Sequence, residues 1–411
     1  MVVLFSLFRN RRMCKNKASS SVGSPQPVYR SSSSDLRTTG SSNTNKNKRY
    51  SLSTSSSGIS ATDLKDSLPD APILYSLAEI RSATNNFVNW HCNIGEKETV
   101  VCRRDFKGDP SRIKDRLSSV CRINHSSVIK VVGACVCASN SIFIVHEYVK
   151  GASLADCLRN PKNPSFSPLS SWILRMEVAT DIGKGLEYIH QSSGGSKIKY
   201  PIHNEIKSSN IIITDPGLRA KICHFGTTTL TGENESNDEE EQKPNRNPSS
   251  KKKLPTYGNH EKKFKATKGY IAPEIIVGGG PSQKTDVYAL GVVLLEILSG
   301  EKPITHKYEG NTLESFSLVE TARDVLASDI DEEDRHIRLR RWVDRRLKDS
   351  FPVDVAENVL ELALKCVNTK AERRPDMTTV AARLSKYHMK STEWANKINF
   401  PTDLSITYGP R

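Results

Sequence analysis

The chain changes its hydrophobic period once, and that change limits what it can fold into. Residues 128–137 and 141–149 are β-branched and apolar, so they read as strands. From 170 to 190 the spacing becomes helical, with Leu174, Val178, Ile182, Leu186 and Ile189 on one face. Residues 286–299, 355–368 and 376–388 give three more helices. A short helix precedes the strands, where Leu77, Ile80 and Ala83 recur at helical spacing. Strands first and helices afterwards predict an α+β, bilobal domain, with a small β-rich lobe on a larger helical one.

The 411 residues are enough for such a domain with tails. Residues 1–72 are dominated by Ser, Thr, Asn and Lys. Too few large apolar side chains are present to offset the ordering entropy, so this segment is expected to be disordered. The domain is expected over 73–391, divided into lobes 73–149 and 150–391, with a tail over 392–411. Residues 227–267 read as a polar insert. Its acidic block, Asp238-Glu239-Glu240-Glu241, precedes a basic one that includes Lys251-Lys252-Lys253. Charge runs this dense are expected to be solvated.

Net charge is +14, and the excess is uneven. Arg9, Arg11, Arg12, Lys15 and Lys17 fall in the first seventeen residues with no acid among them. Such a tail suits an anionic membrane surface or an acidic partner protein. No aromatic RNA-binding stripe, Cys/His finger or basic recognition helix stands out, so nucleic acid is not an expected partner. The apolar run over residues 1–8 is far short of the ~20 residues that span a bilayer. Charge follows this run instead of preceding it, which argues against a secretory signal. Val2 stands where N-myristoylation needs glycine. Three readings of this end stay open: a peripheral anchor with an acylated Cys14, a plain disordered tail, and a transit peptide. No other segment is apolar enough to be transmembrane, and ligand-gated receptor function is not expected. The nine cysteines are odd in number and irregularly spaced. They read as reduced, buried small hydrophobes of a cytosolic protein, and the close pair Cys135 and Cys137 as strand packing.

A set of motifs narrows the class further. Ile202-His203-Asn204-Glu205-Ile206-Lys207-Ser208-Ser209-Asn210 and His224-Phe225-Gly226 have the spacing of H-R-D-x-K-x-x-N and D-F-G. Ala272-Pro273-Glu274 follows, then Asp286 at the head of an apolar helix, then Arg374-Pro375-Asp376. Glu147-Tyr148-Val149 comes before them. In this order, from about residue 75 to 390, the chain resembles the protein kinase domain, and more closely the plant receptor-like kinase clade. The resemblance implies that Glu147 and Val149 belong to the hinge of the adenine pocket. It implies that Asp286 braces the catalytic loop and that a Glu274–Arg374 ion pair braces the large lobe. It also implies ATP and magnesium, with Asn210 and the D-F-G acid holding the metal.

Phosphoryl transfer needs positioned charge more than covalent help, and most of those charges are altered here. After Ile94-Gly95 the chain reads Glu96-Lys97-Glu98, with no further glycine to let backbone amides approach phosphate. Only nine steps separate Ile94 from Arg103, the position aligned with the strand lysine. Most of a hairpin is therefore expected to be missing. Arg103 keeps a positive charge in a different shape. The helix glutamate position falls on Arg116, which turns a latch into repulsion, unless the register shifts to Asp115. His224 replaces the metal-binding acid with imidazole, a poor ligand for magnesium. It is expected to pack beside Phe225, with no second His or Cys at ligand spacing to support another metal. Glu205 keeps the carboxylate of the base one methylene further out, a misplacement of about 1 Å that costs ~10²-fold. Lys207, Asn210, Phe225 and Gly226 match the motif unchanged.

Two functions follow from the resemblance. One is a catalytically impaired pseudokinase, acting as scaffold or allosteric partner of receptor-like kinases or other signalling proteins. It would sit in the cytoplasm or at the inner face of the plasma membrane. It would require no cofactor, binding ATP weakly and without magnesium. The other is a slow serine/threonine kinase that uses Arg103, Glu205, Lys207 and Asn210, with magnesium or manganese.

Overall fold

The computed structural model describes residues 72–160, 168–192, 201–233, 267–309, 312–327 and 331–398. These fall within one compact unit, Pro69–Arg411. Readings that rest on residues 1–71, on Cys14, on 234–266 and on 399–411 lie outside the described residues.

The smaller lobe opens with β1 (Ile73–Leu74) and α1 (Leu77–Ala83). Ser76 and Glu79 cap α1 reciprocally, each side chain meeting the other's backbone N–H. Then come β2 (His91–Ile94), β3 (Lys97–Asp105), α2 (Ile113–Cys121), β4 (Val131–Cys137) and β5 (Ser141–Glu147). The sheet order is β1-β4-β5-β3-β2. Strand β2 pairs directly with β3 through a two-residue turn, Gly95-Glu96, and Gly95 adopts φ +64°. The shortened hairpin expected from the sequence is therefore a single tight turn.

The larger lobe begins with β6 (Gly151–Ser153) and α3 (Leu154–Arg159). The long α4 (Trp172–Gln191) is followed by β7 (Ile211–Thr214), β8 (Ala220–Ile222) and the one-turn α5 (Thr227–Thr231). After α6 (Pro273–Ile276) comes α7 (Gln283–Ser299), fourteen of whose seventeen residues are buried. A helix apolar all round has to be central, and α4 and α10 both pack on it. The chain then runs through β9 (Ile304–Glu309), β10 (Thr312–Ser317), α8 (Leu318–Val325), α9 (Glu332–Trp342), α10 (Val353–Cys366) and α11 (Met377–Lys397).

The domain does not stop at 391. Helix α11 continues to Lys397 because its last turns still bury side chains, Ser391 and Ala395 among them. Ser391 Oγ accepts the indole N–H of Trp172 at 2.8 Å, which ties α11 to the start of α4. Among the described residues no helix is long and apolar enough to cross a membrane.

Candidate functional site

The loop between α4 and β7 is held from below. Asp286, 1% exposed in the first turn of α7, accepts the backbone N–H of His203 and of Asn204, both at 2.7 Å. Its carboxylate also meets His190 Nε2 at 2.9 Å. His203 is then fixed as one neutral tautomer. Its Nδ1 accepts from the backbone N–H of Glu205 at 3.2 Å, so Nε2 carries the proton and donates to Cys223 O at 3.1 Å. Burial lowers its pKa, in keeping with that neutral state. Asn210 donates its amide to Glu205 O at 2.9 Å, and Lys207 Nζ donates to Thr267 Oγ1 at 3.1 Å. Glu205 is half-buried, and its charge is felt by Cys102 and His203. A cleft of about 680 Å³ opens beside this loop, lined by Arg159, Lys207, Thr267, Lys268 and Tyr270.

Further into the helical lobe, Arg374 is 2% exposed and makes a bidentate bond to Glu274 at 2.6 and 2.7 Å. It also donates to Lys284 O and Asn368 O, and its guanidinium lies over Tyr288 at 5.0 Å.

Strand parity settles which β3 residues face the cleft between the two lobes, a place separate from the pocket beside Lys207. Val101 packs with Phe143, Val145 and Ile80 in the outer cluster, so Arg103, two residues on, shares that outer face. Arg103 is exposed and donates to Ser141 Oγ at 3.1 Å. The sequence alignment of Arg103 with the phosphate-contacting lysine is thus corrected: a one-residue step along a strand reverses the face. Cys102 and Arg104 stand on the cleft side. Cys102 is buried, and burial pushes its thiol up to about 11.

Beside Cys102, on the same face of the sheet, lies His146 near the end of β5, and facing both is His224 in the turn after β8. Their donor atoms and Cys102 Sγ all lie within 4.8 Å of one another. His146 is 4% exposed, and neither of its ring nitrogens has a hydrogen-bond partner. Nδ1 of His224 is enclosed and likewise unpartnered. Burial lowers the pKa of His146 to about 4, with Arg104 adding to the effect. Burial, then the neighbouring His146 and Arg104, holds His224 well below the usual imidazole range. The expectation that no other His or Cys stands near His224 is overturned. Sheet pairing brings both there from distant parts of the chain.

Other parts of the cleft diverge as well. Gly95 has open space around it, and the hairpin that carries it also bears Glu96 and Glu98. His91 of β2 stacks on Tyr148 with ring centroids 3.8 Å apart, and Glu98 O accepts the Tyr148 N–H at 3.1 Å. The segment Glu147–Val149 is thereby fastened to the hairpin. Glu147 also meets Lys221 Nζ at 3.4 Å, and Val149 is half-buried. On α2, Arg116 is buried while Asp115 is exposed. The Arg116 guanidinium lies against Gly108 and Gly232, beside the end of α5. The amides of Lys107 and Gly108 donate to Thr231 O there.

Comparison with known proteins fits this geometry. The protein kinase domain matches residues 97–384. The chain belongs to the protein kinase family. LysM domain receptor-like kinase 3 of Arabidopsis thaliana is 31% identical over 346 residues, 79% of this chain and 48% of that protein. PTI1-like tyrosine-protein kinase 3 of the same plant is 29% identical over 343 residues, 79% of this chain and 74% of that one. The chain spans about half the length of the LysM receptor-like kinase it matches. Among solved structures, the pseudokinase domain of BIR2, an immune regulator of the RLK/Pelle family, aligns with a TM-score of 0.53. It is 21% identical, and the match covers 78% of this chain and 90% of that one.

The magnesium of a kinase does not fit the residues at this chain's cleft. Magnesium takes hard oxygen donors, and His224 offers an enclosed nitrogen beside a second imidazole and a thiol. Asn210 alone retains a side-chain oxygen at the kinase metal position, and its amide nitrogen is committed to Glu205 O. Arg104 is the cation on the cleft face of β3, and the buried Arg116 of α2 lies against Gly108 and Gly232. What the kinase fold keeps is its bracing. Asp286 holds the backbone of His203 and Asn204, and Arg374 clasps Glu274. Sequence reasoning missed Cys102, Arg104 and His146. The alternation of β3 and β5, counted from the buried Val101 and Val145, was the signal that would have placed all three.

Proposed function

We propose that this chain is a pseudokinase that works as a scaffold or allosteric partner of receptor-like kinases. The observation that carries the reading is the close trio Cys102, His146 and His224, which puts a thiol and two imidazoles in the cleft, with His224 in the motif position of the D-F-G acid. Two neutral, desolvated imidazoles add no positive charge toward a triphosphate, which leaves Arg104 as the cation on that face of β3. The bracing of the fold, by contrast, is complete, so the surface stays ordered for partners. The basic cleft beside Lys207 gives an acidic partner segment somewhere to lie. The relatives support a place in receptor-like kinase signalling. In this reading the protein is cytoplasmic, and the basic N-terminal segment with Cys14 associates with the inner face of the plasma membrane. Bound ATP is weak and independent of magnesium.

The second reading is a slow serine/threonine kinase. The retained Lys207 and Asn210 of the same loop as Glu205, with Asn210 bonded to Glu205 O, favour it. One experiment separates the two: thermal shift and phosphate transfer by the purified full chain with ATP, each with magnesium, with manganese and with EDTA. The pseudokinase reading expects no metal-dependent ATP shift and no transfer. Transfer that disappears in Glu205→Ala would establish the second reading instead.

A further inference from the structure

We infer that Cys102, His146 and His224 form a zinc site that joins β3, β5 and the turn after β8. The three donors come from separate elements, yet Sγ and the imidazole nitrogens lie within 4.8 Å of one another. In a tetrahedral zinc site, sulfur at ~2.3 Å and nitrogen at about 2.0–2.1 Å place donors roughly 3.5 Å apart. A contraction of about one ångström, within the reach of side-chain rotation, would complete the shell.

The chemistry of the donors decides the metal class. One thiolate and two imidazoles are a soft-to-borderline set that suits zinc and rejects magnesium. Three protein ligands leave a fourth position for water or a partner's side chain. The surroundings also point to a ligand. His146 is 4% exposed and has no hydrogen-bond partner on either ring nitrogen, and His224 Nδ1 is enclosed and unpartnered. Buried polar atoms left in that state are costly, and a metal would satisfy those it binds. The His146 and His224 rings meet at 90°, an arrangement in which they do not stack over each other's donor edges. Binding is balanced by one proton: the Cys102 thiol releases it to solvent as the zinc–sulfur bond forms, and both imidazoles bind in the neutral form they already hold.

The site would also have a mechanical consequence. Cys102 and His146 belong to the sheet of the small lobe, and His224 to the turn that follows β8 in the large lobe. A single ion would fix the two lobes relative to each other at the cleft. A kinase opens and closes that cleft on nucleotide, whereas this chain would hold one state for a partner to read.

The test uses the untagged full chain carrying Cys14→Ser, stripped of metal and titrated with cobalt(II) and then zinc. The expected result is about one cobalt per chain, a thiolate-to-cobalt charge-transfer band, tetrahedral visible bands, and displacement of cobalt by zinc. Zinc should raise the melting temperature progressively with its concentration. Cys102→Ser should abolish the charge-transfer band, and His146→Ala or His224→Ala should weaken cobalt binding by at least about 100-fold. Cys223→Ser is the control. Its thiol is buried nearby but donates to Asn210 O, so the band should persist. Cobalt bound without a thiolate band, or a band that survives Cys102→Ser and vanishes in Cys223→Ser, would overturn the assignment. So would a melting temperature indifferent to zinc. Should Cys102→Ser fail to fold, the wild-type band and its persistence in Cys223→Ser still decide the matter. No readout depends on phosphate transfer, so failure here leaves the pseudokinase reading standing.

Discussion

The rings of His146 and His224 meet edge to face, with centroids 5.6 Å apart and planes at 90°. Two imidazoles held this close, beside Arg104, cannot both carry a proton at low cost. Burial already lowers the pKa of His146 to about 4 and holds His224 well below its ordinary value of 6.5.

The sign of the resulting pH dependence is fixed by that direction. Above the unfolded value of 6.5, both states are neutral at His146 and stability is fully present. As pH falls below it, the unfolded chain takes up protons that the fold refuses, and stability drops until the folded value near 4. One such histidine contributes a slope of up to about 1.4 kcal/mol per pH unit. Urea unfolding of the metal-free chain should therefore show stability falling between about pH 6.5 and pH 5, less steeply in His146→Leu. At neutral pH that variant should match or exceed the wild type, since an apolar side chain replaces unpartnered ring nitrogens. Equal slopes for the two proteins would mean that His146 is charged in the fold.

Arg374→Ala should lose about 3–5 kcal/mol of unfolding free energy, the cost of stranding a partly buried Glu274 and two backbone carbonyls. Denaturant titration checks it. A loss under about 1 kcal/mol would place this pair with ordinary surface ion pairs.

These energetics show why parts of the site were legible in the sequence and others were not. Asp286, Glu274 and Arg374 sit in motifs whose neighbours are fixed along the chain, so the family resemblance named them and implied their roles. Leu117, Val120 and Ile123 share a helical period, and that register puts the helix glutamate position at Arg116. Arg103 failed because a strand's period is two, and an alignment one residue off exchanges the cleft face for the outer one. The Cys102, His146 and His224 trio failed for a different reason. Its members are joined only through the β3–β5 pairing and the fold of the turn, which no local pattern encodes. The end of α11 was set too early because Ser391 and Ala395 are small, and their burial depends on Trp172 far away in sequence.

Gly226 stands against α2. Its φ is +79°, and a Cβ there would come within 2.4 Å of the Val120 side chain. Gly226→Ala should destabilise the chain by about 1–3 kcal/mol through left-handed strain and overpacking together. Val120→Ala removes the clash but not the strain. The double variant should therefore be more stable than the sum of the two single losses, by about 0.5 kcal/mol or more. Strict additivity in denaturant titrations would show that the turn does not press on α2.

On the pseudokinase reading, placing an acid at position 224 should not confer kinase activity. In His224→Asp the new carboxylate would enter an enclosed site beside His146, with Arg104 and Lys207 as nearby cations. Desolvation there raises a carboxyl pKa, while the cations lower it, so the charge would be only partly recovered. The hairpin would still end at Gly95-Glu96 with no amide cradle, and Tyr148 would still be fastened to Glu98 O. Cys102 would still occupy the cleft face of β3, and Arg116 would still lie against Gly108 and Gly232. Positioned charge acts as a set in phosphoryl transfer, and replacing one member leaves the rest of the barrier in place. The expected outcome is that His224→Asp gains no magnesium-dependent thermal shift with ATP and transfers no phosphate to a generic protein substrate. A clear shift with magnesium would mean that the single acid was the deciding loss, and that the altered hairpin and strand still admit a triphosphate.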